Sequence, residues 1–163
     1  LSLFNKETER MKKYNLILSI VLLINILLSP TLAADTFENP DKMIWIDQLK
    51  QVGAAYENGK KVMEFPVLTG DDETTTDPGI YLVRVKQENY YSRKYQTPMP
   101  YSIFFNYTTR TAIHGGEVPL PKQKIALATH GCVHVESPYI ERLYDWTEAG
   151  STVVVISGGR TQD

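Results

Sequence analysis

The stretch ATHGCVHV, residues 128–135, decides how this chain is read. It carries Cys132, the only cysteine among 163 residues, between His130 and His134. The remaining histidine, His114, stands just upstream in AIHGG, so one thiol and every imidazole fall within 21 residues. If HGCVHV is extended, side chains alternate in direction: His130, Cys132 and His134 share one face, and Val133 and Val135 share the other. Two valines suit a core, and a thiol between imidazoles suits a cleft.

The chemistry of these residue types points the same way. A thiol of ordinary pKa near 8.5 is only a few per cent thiolate at neutral pH, so a nucleophilic cysteine needs a base or a cation beside it. Imidazole, with a pKa of about 6.5, takes a proton and returns it. Gly131 leaves room for backbone N–H groups to face an oxyanion. A Cys–His acyl-transfer site is the leading reading. A zinc site remains open, since zinc binds both ligand types, although this spacing matches no common zinc signature. A buried inert thiol among core histidines is the third reading.

Working outward from the motif, Ser137-Pro138 reads as a helix start with Pro at the first helical position. The helix PYIERLYDWTEA would turn Ile140, Leu143, Tyr144 and Thr147 to one face and end at Gly150. TVVVIS then closes the fold as a buried strand. Upstream, MIWID is a short strand and QVGAAYENGKKVMEFPVLTG a hairpin turning at Asn58-Gly59. GDDETTTDPG reads as a polar loop, IYLVRVK as one half-buried strand, ENYYSRKYQTPMP as a long polar and aromatic loop, and YSIFFNY as a strand. The expectation is a mainly β domain, with one helix after the cysteine and no repeats or linker.

The first 34 residues differ from the rest. From Met11, MKKYNLILSIVLLINILLSPTLAAD has a basic start, an apolar run, Ser29-Pro30 and small residues, the layout of a secretory signal cleaved after Ala33 or Ala34. An N-terminal anchor is the alternative, but Asn25 and Pro30 shorten the apolar run below the ~20 residues that span a bilayer. Leu1–Arg10 read as an extension ahead of that leader. No cysteine near the cleavage site offers a lipid anchor. Residues 35–163 form the single expected domain, with 13 basic and 17 acidic residues and net charge −4. That balance gives no support to a nucleic-acid partner. Export would also leave Cys132 unpaired in an oxidising compartment, so it is either buried or retained for reactivity.

The motif resembles that of the L,D-transpeptidases of the YkuD type: a histidine, a spacer, then Ser/Thr-His-Gly-Cys. Here 14 residues separate His114 from Thr129-His130-Gly131-Cys132. IWIDQLKQVGAAYENGKKVMEFPVLTG is similar to that family's opening hairpin, TTDPGIY to its Thr-Pro-x-Gly-x-Tyr segment, and MPYSIFF to the strand leading to its histidine. The resemblance covers residues 42–157.

It implies an L,D-transpeptidase-like β-sandwich or mixed sheet, exported to the periplasm or cell envelope and acting on peptidoglycan stem peptides. Cys132 would attack the carbonyl joining the third and fourth stem residues. A second stem, a lipoprotein lysine or water would resolve the thioester. His114 would be the general base, positioned through the Gly115 region, and His130 would shape the site. Backbone N–H groups near Gly131 and Cys132 would hold the oxyanion, Thr129 would help shape the turn, and Tyr101 would line the substrate cleft. No cofactor or metal is implied. A hydrolase of the same fold and a non-catalytic wall-binding domain are the alternatives.

Two departures stand out. His134 occupies the position where the family usually carries Arg or Asn, exchanging a permanent cation for a group that charges only in mild acid, so substrate preference is expected to differ. Asp77 separates Thr76 from Pro78. No wall-binding module is read in these residues, so wall affinity is expected from this domain.

Overall fold

The structure, a computed structural model, describes residues 40–119 and 128–158. The expected leader and its boundary at residue 34 lie outside the described residues. The chain opens with β1 (Lys42–Asp47) and the hairpin β2 (Val52–Glu57) to β3 (Lys60–Pro66). That hairpin turns on Asn58 and Gly59, at φ 50° and 73°, the left-handed pair that two-residue hairpins favour. Then come β4 (Gly79–Leu82), β5 (Val85–Ser92), β6 (Thr97–Asn106), β7 (Thr111–Gly115), β8 (Val133–Val135), α1 (Tyr139–Trp146) and β9 (Val153–Ser157). Among the described residues, no helix is long and apolar enough to cross a membrane.

The strands make two sheets, one ordered β3-β2-β1-β9-β4 and the other β5-β6-β7-β8. Both are mixed. The pairs β1–β9 and β7–β8 are parallel, and the others antiparallel. Period-two alternation builds the core between them. Ile44 and Ile46 of β1 are fully buried while Trp45 between them faces out. Val154 and Ile156 of β9, in register with Ile44 and Ile46, join Ile103, Phe105, Ile113, Val133 and Val135 from the second sheet. Each such buried side chain contributes roughly 1.5–3 kcal/mol relative to exposure. Among the described residues, the fold is the mainly β architecture expected, with two sheets and one helix after the cysteine.

Helix α1 buries Ile140 and Leu143 and packs on β6 and β7. It is shorter than its sequence pattern. Pro138 sits at the N-cap rather than the first helical position, and the chain turns extended at Thr147. Thr147 ends the helix itself: its hydroxyl donates to the Leu143 carbonyl at 2.6 Å and its N–H to the same oxygen at 3.0 Å. Gly150, at φ 92°, shapes the following turn instead.

Two other expectations are corrected. IYLVRVK is not one strand. Val83 donates its N–H to Thr152 beside the first sheet, and Arg84 donates to Phe104 in the second, at 2.9 and 2.8 Å. The chain therefore changes sheets between adjacent residues, and fully buried Val83 anchors the crossing. ENYYSRKYQTPMP is not a loop but the outer half of the β5–β6 hairpin, with a turn only at residues 93–96. Most of β5 is exposed, so it shows no apolar alternation, and its register comes from pairing with β6, as in Tyr90 opposite Met99.

Candidate active site

The HGC segment is a turn that feeds a strand. Its extended part begins only at Val133, because Gly131 takes φ 98°, a conformation that a side chain would strain. A Cβ there would also lie 2.8 Å from the Thr75 carbonyl oxygen. Thr129 closes the turn: its hydroxyl donates to the Cys132 carbonyl and accepts from the Gly131 N–H, the latter at 3.2 Å. The loop expected to be merely polar holds this turn from outside. The Thr74 hydroxyl donates to the Thr129 carbonyl at 2.5 Å, and the Thr76 hydroxyl to the Gly131 carbonyl at 2.9 Å. Thr76 in turn accepts from the Gly70 N–H at 3.0 Å. On the far edge, Leu68 and His134 exchange backbone bonds of 3.1 and 2.8 Å.

Strand β8 is thus clamped between Leu68 and β7, where Ile113 pairs with Val133 and His114 with His134. The isoleucine and valine enter the core. The two imidazoles share the opposite face, their centroids 4.7 Å apart at an interplanar angle of 64°. His114 is nearly buried, and its Nδ1 lies 2.9 Å from the Gly115 carbonyl oxygen. A carbonyl only accepts, so Nδ1 carries the proton and Nε2 keeps its lone pair. Burial, and next the charge His134 can carry, lower the His114 pKa to about 4, against a smaller upward pull from the Gly115 carbonyl. Burial also lowers His134, opposed by a hydrogen bond to the Glu117 backbone.

Cys132 and both of these histidines line one cavity of about 530 Å³, together with His130, Thr129 and Gly115, within the usual size of small-molecule sites. Burial pushes the Cys132 thiol up, and the Ala112 backbone amide and the Lys94 charge pull back. At neutral pH the cavity therefore holds a thiol and a neutral imidazole, not a preformed ion pair. Among the described residues, no three His, Cys, Asp or Glu side chains converge as metal ligands would.

The structure brings Cys132, His114, His130 and His134 to one cavity, with Gly115 and Thr129 in its wall. Gly131 shapes the turn, and its N–H is spent on Thr129. Tyr101 lies elsewhere. It lines an adjoining groove and packs edge-on against Tyr144, centroids 5.6 Å apart; its φ of 55° marks an irregularity in β6. Sequence reasoning missed Thr74 and Thr76, which brace the turn, and Tyr95, whose ring stacks on His130 at 4.7 Å and 28°. Nothing in the periodicity signals them. Only the triple threonine, unusual for a plain solvent loop, hints at side chains with hydrogen-bonding work.

Compared with known proteins, residues 41–156 match the family model described as the L,D-transpeptidase catalytic domain, YkuD. No curated protein matches. Among solved structures, the chain is similar to an L,D-transpeptidase from Stackebrandtia nassauensis, at 25% identity and TM-score 0.67 over 76% of this chain and 58% of that one. The fold also matches an L,D-transpeptidase from Xylanimonas cellulosilytica, at 24% identity and TM-score 0.62 over 73% of this chain and 61% of that one. One from Enterococcus faecium matches at 23% identity and TM-score 0.64, over 72% of this chain and 50% of that one. The chain thus spans less than two thirds of each of these proteins. With the family matched across both sheets and the whole Thr129–Cys132 turn, the chain belongs to the L,D-transpeptidase catalytic domain family of the YkuD type.

Proposed function

We propose that the protein is an exported cysteine acyltransferase that joins peptidoglycan stem peptides to an amine, either on a second stem or on a lipoprotein lysine, in the cell envelope. The observation that carries this reading is the tautomer of His114. With Nδ1–H held by Gly115, Nε2 keeps its lone pair on a residue lining the same cavity as the only thiol, and a lone pair in the thiol's cavity is what general-base action starts from.

The reaction follows from these groups. His114 Nε2 takes the Cys132 proton as Sγ attacks the carbonyl of the third stem residue, forming the C–S bond and an oxyanion. The Cys132 N–H would receive that oxyanion, since the Gly131 N–H is engaged by Thr129. Collapse breaks the C–N bond, and His114 returns the proton to the departing amine, leaving a thioester. The acceptor amine then attacks, giving up a proton to His114 and expelling the Cys132 thiolate, which is reprotonated. Because Cys132 lines two adjoining cavities, acyl donor and acceptor have two sides from which to approach it, which supports transfer over hydrolysis. Incubation with defined muropeptides tests the reading. Cross-linked or amine-capped products by mass spectrometry are expected, and only water-resolved products would assign a hydrolase.

A further inference from the structure

The two cavities that meet at Cys132 differ in charge. Among the described residues, the histidine cavity has Glu117 as its one acidic liner and no lysine or arginine. The second, about 560 Å³, lies between the β5–β6 hairpin and Arg110, and its described liners include Arg93, Lys94 and Arg110 but no carboxylate. Ion pairs among the described residues join Lys42 to Glu148, Lys50 to Asp47 and Lys61 to Glu64, so none of these three cations is matched by a described carboxylate. Lys94 lies over the Tyr95 ring at 4.8 Å, and its charge acts on the Cys132 thiol. In a chain of net charge −2, three cations without a described carboxylate partner around one concavity concentrate the field there.

We propose that Arg93, Lys94 and Arg110 form a carboxylate-binding chamber on the hairpin side of Cys132, which selects acyl donors carrying a free carboxylate within one residue of the scissile bond. Bond lengths support the fit. From the reacting carbonyl carbon, the chain runs through C–N, N–Cα and Cα–C bonds of about 1.33, 1.46 and 1.52 Å, so the carboxyl carbon of a terminal leaving residue lies within roughly 4 Å. A peptide whose carbonyl sits at Sγ therefore reaches a chamber that shares Cys132. Guanidinium forks match a carboxylate in two parallel bonds, and Glu117 on the opposite side repels the same group. His134, two residues after the cysteine, carries no permanent charge, whereas Arg93 and Lys94 set fixed positive charge at the hairpin side of Cys132.

The proposal rests on the acyl-transfer reading for its substrate, but the chamber is testable without it. Cys132 is the only cysteine, so alkylation reports on it alone. Anionic iodoacetate and neutral iodoacetamide react by the same displacement of iodide by the thiolate, so their rate ratio cancels any change in thiolate fraction. The ratio is expected to be about tenfold higher in wild type than in the Arg93→Gln/Arg110→Gln variant, and to fall in wild type as salt is raised to about 0.5 M. Lys94→Met gives an independent second variant, expected to lower the ratio as well. Equal ratios in all three proteins, with no salt dependence, would overturn the chamber.

The peptide arm compares stem tetrapeptides amidated at the C-terminus, at a side-chain carboxylate, or at neither. A wild-type loss of tenfold or more in kcat/KM from one amidation, shrinking below threefold in the double variant, supports the proposal and identifies which carboxylate is read. No loss from either amidation would overturn it. If the alkylation ratio holds while no peptide is turned over, it is the acyl-transfer reading that fails.

Discussion

His134 stands in register with His114 across the parallel β7–β8 pair, its ring 4.7 Å from the other at 64°. This relationship makes His134 more than a substitute for the family's usual residue, because its charge helps hold His114 down at a pKa of about 4. His114 is then neutral, and able to accept the thiol proton, far into the acid range. The rate is expected to fall on the acid side as pH drops through about 4, not through 6.5. In His134→Asn the repulsion is gone, and the limb should move upward. Superimposable wild-type and variant pH–rate profiles would contradict the coupling.

The same depression has a stability consequence. Between about 4 and 6.5 the unfolded chain binds a proton at His114 that the folded chain does not, so stability rises with pH across that window. It is complete above 6.5 and lost toward 4, on the order of 3 kcal/mol for this group. Urea midpoints from pH 4 to 7 should follow this rise, and the rise should flatten in His114→Gln.

His134→Asn should retain activity within about tenfold at neutral pH, because an amide still supplies one donor. Arginine is a harder fit. The His134 ring lies against Gly116, where an added Cβ would come within 2.7 Å of the imidazole. Gly116→Ala should therefore lower kcat by displacing that ring, with about 1–3 kcal/mol of overpacking cost. Unchanged kinetics in Gly116→Ala would show that the position of His134 is immaterial.

Thr76 bridges the Gly70 N–H and the Gly131 carbonyl inside the fold. Replacing it with valine leaves both groups buried without that partner, at about 1–3 kcal/mol each. The expected outcome is a lower melting temperature together with a kcat loss larger than any change in KM, since the hydroxyl holds the turn that carries Cys132. A melting shift without a kcat change would restrict Thr76 to stability.

Sequence made the site legible where chemistry is written in residue type, and less so where it depends on pairing. That Cys132 and His114 share one cavity and that Val133 and Val135 face the core was readable because a lone thiol near imidazoles and alternating valines each admit few meanings. The Asn58-Gly59 turn was readable for the same reason. The sheet change at Val83–Arg84 was not, since IYLVRVK alternates smoothly and only its partners, Thr152 and Phe104, divide it. Strand β5 was hidden because most of its side chains face water. Tyr95 reaches His130 only through the bent tip of that hairpin, a tertiary relationship with no local trace.

Metal dependence separates acyl transfer from the zinc alternative. Purified protein is expected to carry far less than one equivalent of zinc and to keep its activity with a chelator. Stoichiometric zinc, with activity or folding lost on chelation, would favour a ligand cluster.

The most direct measurement is intact mass of the protein trapped during turnover of a stem tetrapeptide, followed by mapping of the adduct. The account predicts an increase equal to the mass of the donor minus that of its released terminal amino acid, located on Cys132 as a thioester that hydroxylamine releases. It should be absent in Cys132→Ala, which should remain folded because a partly buried side chain is only shortened. Turnover in Cys132→Ala, or an acyl group on any other residue, would contradict it.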